Sequence, residues 1–141
     1  MTSIDFHIMP AQAKRQHDVF VCQLIEREWQ TGRTVHVHCG DEAMVASFDD
    51  LLWTFHDTSF VPHAMVGASD AGDARVVLGC ANNSPATHDT LVNLHPEIPA
   101  FFSQFERVIE TTGHDDNTRQ LARERYRFYK DRGYALATHQ P

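Results

Sequence analysis

The sequence predicts an α/β fold: a three-layer α/β/α domain with a mostly parallel central sheet. Two observations predict it. Short apolar, strand-like segments alternate along the chain with longer segments of helical periodicity, and the stretches between them are rich in turn-forming residues. A chain of 141 residues, 42% of them hydrophobic, is long enough to bury one such core without disulfide or metal staples. We expect one domain spanning residues 1–141.

Ile4, Phe6 and Ile8 alternate with Asp5 and His7, the period-two signature of a strand that Pro10 ends. A helix follows over residues 13–30, where Val21, Leu24, Ile25 and Trp29 recur at helical spacing and Gly32 is placed to stop it. Residues 34–39 read as a second strand. Asp41 is a candidate cap for a helix over 41–55, with Met44, Val45, Phe48, Leu51, Leu52 and Phe55 as its buried stripe. Trp53 falls off that stripe, roughly 140° from Phe48. Short strands are expected over 61–65, 75–80 and 90–94, separated by the turn-rich segments 67–72 and 82–85, while 105–109 is ambiguous between strand and helix. Asp115, Asp116 and Asn117 are candidate caps for a last helix, Asn117 with Gln120 forming a capping box, and Gly133 closes it. The last residues are expected to fray.

The last helix carries the most informative pattern. Residues 119–132 hold half of the 12 Lys and Arg of a chain whose formal net charge is −7. Helical geometry gathers Arg119, Arg123, Tyr126, Arg127 and Lys130 into a stripe of roughly 100°. A solvated charged face is one reading. The other is an anion site, because Glu124 and Asp131 are too few to pair these cations and an aromatic ring lies among guanidinium groups suited to carboxylates. The acidic remainder of the chain argues against a general nucleic-acid binder.

Other chemistry is sparse. An α/β fold invites comparison with Rossmann-like nucleotide binders, but the first strand is followed by Met9-Pro10-Ala11-Gln12-Ala13, and neither GxGxxG nor a P-loop occurs anywhere. His36 and His38 fall on one face of the second strand and Cys39 on the other, so two imidazoles with Asp41 nearby are a candidate metal cluster, set against packed histidines. Cys22, Cys39 and Cys80 read as reduced core residues. No charged leader with an apolar core and no run of membrane-spanning length is present, so a cytoplasmic, soluble protein is expected. Trp53 with Ser59-Phe60-Val61-Pro62-His63 is either core or an exposed apolar patch that anchors a partner.

Two blocks carry a family resemblance. Leu121-Ala122-Arg123-Glu124-Arg125-Tyr126 with Tyr129 and Gly133, and Leu52-Trp53 with Ser59-Phe60-Val61-Pro62-His63, resemble the chi subunit family of bacterial DNA polymerase III, and the order of elements is similar over nearly the whole chain. The resemblance implies a non-catalytic replication accessory protein with a Rossmann-like architecture, no nucleotide-binding loop and no cofactor. It implies two partners. One is the psi subunit, which tethers chi to the clamp loader; the other is the acidic, Phe-terminated C-terminal tail of single-stranded DNA-binding protein (SSB).

Carried over, the tail-binding positions fall on Thr112, Arg119, Arg123, Tyr126 and Arg127, with Arg119 and Arg127 where the family can carry lysine. Arg123 is expected to grip the terminal carboxylate and Tyr126 to line the slot for the terminal ring. The psi-facing positions fall on Trp53, Phe60, Val61 and Pro62, a surface for which a helicase is a candidate competitor. The chain departs from the family at His36-Val37-His38, where apolar residues are usual, and at its polar end. The alternative to a binding module is a small metal-dependent hydrolase using His36, His38 and Asp41. A third reading has the basic helix binding bare single strands.

Overall fold

Strands buried at every position, as Val35–His38 and Thr90–Asn93 are, need a sheet whose two faces are both covered, and the chain builds one. The computed structural model describes residues 2–10, 12–56, 61–66, 74–81 and 85–140. In chain order the elements are β1 (Ser3–His7), α1 (Lys14–Gln30), β2 (Val35–His38), α2 (Glu42–Thr54), β3 (Ala64–Met65), β4 (Val76–Gly79), β5 (Thr90–Asn93), β6 (Arg107–Thr111), α3 (Asp116–Asp131) and β7 (Ala135–His139). One 3-10 turn, Phe102–Gln104, precedes β6. All seven strands join a single sheet in the order β3-β4-β2-β5-β6-β1-β7, and every pairing is parallel. The early strand β1 thereby lies between two late ones, β6 and β7.

β2 shows how side-chain alternation divides the core. Val35, Val37 and Cys39 turn toward α1 and α2, joining Val21, Ile25, Phe48 and Leu52 in one apolar cluster. His36 and His38 turn the other way, against Phe101 and Phe105. On that side α3 contributes Ala122 and Tyr129 to a second cluster with Ile4, Phe6, Leu91 and Val108. Helices on both faces of a parallel sheet make the expected three layers.

The local signals explain most element ends. Asp41 caps α2 by accepting the Met44 N–H at 2.8 Å. Gly133 ends α3 at φ 77°, a backbone geometry that a side chain would resist, and it turns the chain toward β7. The ambiguous 105–109 resolves as strand from Arg107 onward, in β6. Three expectations need correction. Residues 61–65 yield only the two-residue β3. The capping box of α3 joins Asp115 to Thr118 rather than Asn117 to Gln120. The end does not fray: residues 135–139 are β7, paired along their whole length with β1, because β1 would otherwise leave a row of N–H and C=O groups unpaired. The expected turn at 67–72, and residues 82–84 of the one expected at 82–85, lie outside the described residues. Cys22 and Cys39 are buried free thiols, and burial pushes both up to about 12. Among the described residues no helix is long and apolar enough to cross a membrane.

His36 and His38 behave as core rings. His38 is stacked on His95 at 5.0 Å between centroids and meets Phe101 edge-on at 5.3 Å. Neither of its ring nitrogens has a hydrogen-bond partner among the described residues. Burial holds both imidazoles down to about 4, and His95 and His36 add to the effect on His38. Unfolded, each ring takes up a proton near its ordinary 6.5. Protonation therefore favours the unfolded chain between these values: stability is full above about 6.5 and falls as pH drops toward about 4, by on the order of 2 to 3 kcal/mol per ring. Urea midpoints should fall steadily on acidification through this window. His38→Phe should raise the midpoint and flatten the slope, since it removes an unbonded buried polar ring; an unchanged slope would show that His38 is not responsible.

Candidate functional site

The site is built on α3, and α3 is held from beneath. Asp115 caps it by accepting the Thr118 N–H at 2.8 Å, while the Thr118 hydroxyl oxygen accepts the N–H groups of His114 and Asp115, each at 3.1 Å. This return requires glycine at 113: φ is +85°, and a Cβ there would lie 2.4 Å from Thr118 Oγ1. Further along, Arg125 turns inward and donates to Glu110 at 3.0 Å and to the Pro96 carbonyl at 3.0 Å. Glu110 is 0% exposed and also accepts from Asn93 at 2.9 Å and from the Tyr129 hydroxyl at 2.7 Å. Burial raises the Glu110 carboxyl above its usual value, with Arg125 and the two neutral donors opposing.

With Ala122, Arg125 and Tyr129 turned toward the core, helical geometry sends Arg119, Arg123, Tyr126, Arg127 and Lys130 outward. These residues border an open groove of about 680 Å³. Phe6, Ile8 and Thr138 make its sheet side, and Thr112 and Asp131 also line it. Four cations therefore face one carboxylate around a partly apolar floor. Tyr126 stands edge-on to Phe6 at 5.4 Å between centroids. Arg119 is anchored by a 2.6 Å bond to the Met9 carbonyl, and the Thr112 hydroxyl accepts the Met9 N–H at 2.9 Å. Arg123 is exposed, its bond to Gln120 at 3.1 Å lying within its own helix.

All five positions carried over for tail binding, Thr112, Arg119, Arg123, Tyr126 and Arg127, thus line one groove. Sequence reasoning did not place Phe6, Ile8, Ala122 or Thr138 there. The alternation of Phe6 and Ile8 was the available signal for the floor, whereas Thr138 depends on a strand pairing that no local pattern announces.

The second expected surface is only partly assembled. Trp53 is 42% exposed, and its ring leans on His63 at 4.2 Å. His63 is fixed by the Val61 carbonyl at 2.8 Å and by Asp49 at 3.0 Å. Pro62, Met65 and Val66 are exposed beside it in sequence. Val61 needs correction: it is fully buried in the α1–α2 cluster, so its side chain supports this face rather than forming it. Phe60 lies outside the described residues.

The hydrolase alternative also fails geometrically. His36 and His38 are packed in the core and Asp41 is spent on the α2 cap, and among the described residues no three His, Cys, Asp or Glu side chains converge as a metal site. A smaller cleft of about 260 Å³ lies by the first turns of α1 and α3, but its His17, Asn93 and Arg125 are bonded within the protein.

Residues 1–137 match the family model described as DNA polymerase III chi subunit, HolC. The chain is 36% identical over 139 residues to DNA polymerase III subunit chi of Pseudomonas aeruginosa, covering 99% of this chain and 96% of that protein. It is 33% identical to the Escherichia coli subunit chi, covering 84% of this chain and 81% of that one, and 28% identical to that of Haemophilus influenzae, covering 94% and 93%. Among solved structures, the crystal structure of T4 UvsW superimposes with a TM-score of 0.69 at 9% identity over 99% of this chain and 41% of that one, a likeness of fold alone.

The inner and outer arginines of α3 should separate in stability. Arg125→Ala leaves Glu110 buried without its cation and should cost about 3 to 5 kcal/mol in urea unfolding. Arg127→Ala, on the outer face, should stay within about 0.5 kcal/mol of the parent. Equal losses would show that the Glu110 pair does not hold the helix.

Proposed function

The chain belongs to the DNA polymerase III chi subunit family, and we propose that it is a non-catalytic accessory subunit of the holoenzyme, joining the psi subunit to the acidic C-terminal tail of SSB during replication in the cytoplasm. On this reading the whole chain is one chi-like domain. The observation that carries the proposal is the groove, in which four cations surround an apolar floor that includes Tyr126.

A ligand that fits must offer negative charge beside an aromatic or apolar group. A peptide ending in Asp and Phe does so: its terminal carboxylate suits the fork of Arg123, its ring suits the floor by Tyr126 and Phe6, and its aspartates suit Arg119, Arg127 and Lys130. A polynucleotide fits less well, because a chain of net charge −7 repels phosphates over most of its surface.

The psi subunit is assigned to the other surface, where Trp53 and Pro62 are exposed; the resemblance adds Phe60 to this assignment, and a helicase is a candidate competitor for it. Val61 serves there as the buried support. The two surfaces lie on different elements, α3 and the α2–β3 region, so both partners can be held together.

A synthetic acidic peptide ending in Asp-Phe with a free carboxylate tests the groove. Arg123→Ala should weaken binding by at least about 30-fold, since it strips a desolvated carboxylate of its partner, whereas Lys130→Ala should mainly slow association and reduce the salt dependence. Equal, small losses in both variants would overturn these roles. For the second surface, Trp53→Ala should keep its urea midpoint yet no longer co-purify with the psi subunit; retained co-purification would count against the assignment.

A further inference from the structure

Among the described residues β7 is the outermost strand on its side of the sheet, with β1 as its one neighbour. In a parallel strand the N–H and C=O of one residue point to the same side, and the side alternates from residue to residue. The His139 carbonyl accepts the Ile8 N–H at 2.7 Å, so His139, Ala137 and Ala135 face β1. The main-chain groups of Leu136 and Thr138 therefore point away from the sheet. Their side chains turn to the α3 face, where Leu136 packs on the second core cluster and Thr138 lines the groove.

Open edges are ordinarily guarded by lysine, proline, a bulge or a covering element. Among the described residues β7 has none of these. Its five residues, Ala135-Leu136-Ala137-Thr138-His139, are mostly exposed and keep an unbroken register with β1. Among the described residues no element pairs with the outer edge. Because α3 walls the groove on the inner side and β1 and β7 form its floor, this unguarded edge is the groove's outer lip.

Resting on the groove reading above, we infer that the acidic peptide does more than seat its last residue: the preceding segment adds to β7 as an eighth strand. Its main chain bonds to the outward N–H and C=O groups of Leu136 and Thr138. Charge selects this occupant, since the cations of α3 stand across the floor from the lip. A second copy of the chain pairing edge to edge would bring two cationic helices to one seam, where like charges oppose each other. Strand addition also gives the aspartates an alternation, every second side chain facing α3 and the others facing solvent.

Amide hydrogen exchange followed by NMR on the full chain, with and without the same synthetic peptide, tests the inference. At saturation the Leu136 and Thr138 amides should slow by at least about tenfold. Single N-methylations in the peptide should alternate in effect, those at amides facing β7 weakening binding by about threefold to tenfold and the intervening ones being tolerated. Unmodified affinity at every methylated position, with Leu136 and Thr138 still exchanging freely, would overturn strand addition and leave the groove assignment standing. Failure of the unmodified peptide to bind would remove the groove assignment and this inference together. Concentration-dependent protection of Leu136 and Thr138 in the peptide-free protein would overturn it in favour of self-pairing.

Discussion

The Glu110 carboxyl group, sealed from water beneath α3, is the constraint on which the rest of the structure depends. Three elements meet there: β6 supplies the acid, β5 supplies Asn93, and α3 supplies Arg125 and Tyr129. A buried acid with fewer partners would be costly, and the full set of donors offsets that cost only when α3 sits at one rotation about its axis. That rotation decides which arginines are internal and which are on offer. The cationic face of α3 is thus a consequence of one inward-pointing residue, in addition to being a sequence pattern.

A second buried network works on the opposite face. Arg107 joins Asp5 to Glu28, which also accepts the Thr90 hydroxyl at 2.8 Å, so that β1, β5, β6 and α1 share one set of charges. His139 extends it to β7 through a 3.0 Å bond to Asp5. Burial pushes the Asp5 carboxyl up, but the bonds from His139 and Arg107 prevail and hold it below the usual range. Each face of the sheet therefore has one arginine committed to internal acids. In α3, Arg119, Arg123, Arg127 and Lys130 remain directed at the groove.

Much of this was legible in the sequence, for identifiable reasons. Apolar alternation in Ile4 and Phe6 and helical spacing in Val21, Leu24 and Ile25 report burial directly, so the strands and helices they belong to were found. The stripe of α3 was legible because four outward cations on one face exceed what the helix's own acids can pair. Glu110 and Arg125 were not legible: one acid in an apolar strand and one more arginine in a basic helix look like their solvated neighbours until the fold brings them together. β7 was missed because Ala135, Ala137 and Thr138 bury little and show no contrast between faces; the strand exists to satisfy the backbone of β1. Val61 looked like part of a surface because it lies in the block that resembles the family's psi-facing positions, yet its side chain is buried in the α1–α2 cluster. The histidines of β2 left two readings open, because imidazole is both a metal donor and a flat ring, and here the fold uses the ring.

The order of strands also bears on how the chain assembles. β1 is made before the other described elements, but its two partners are residues 107–111 and 135–139. An emerging chain therefore carries the apolar pair Ile4 and Phe6 with both edges vacant until residues 107–111 have been synthesised, and with one edge vacant until residues 135–139 follow. Contacts this distant in sequence delay closure, because a long loop must be ordered before any pairing stabilises it. The half of the sheet that floors the groove is consequently the last to form, and in the nascent protein it is the half most exposed to mispairing with other chains.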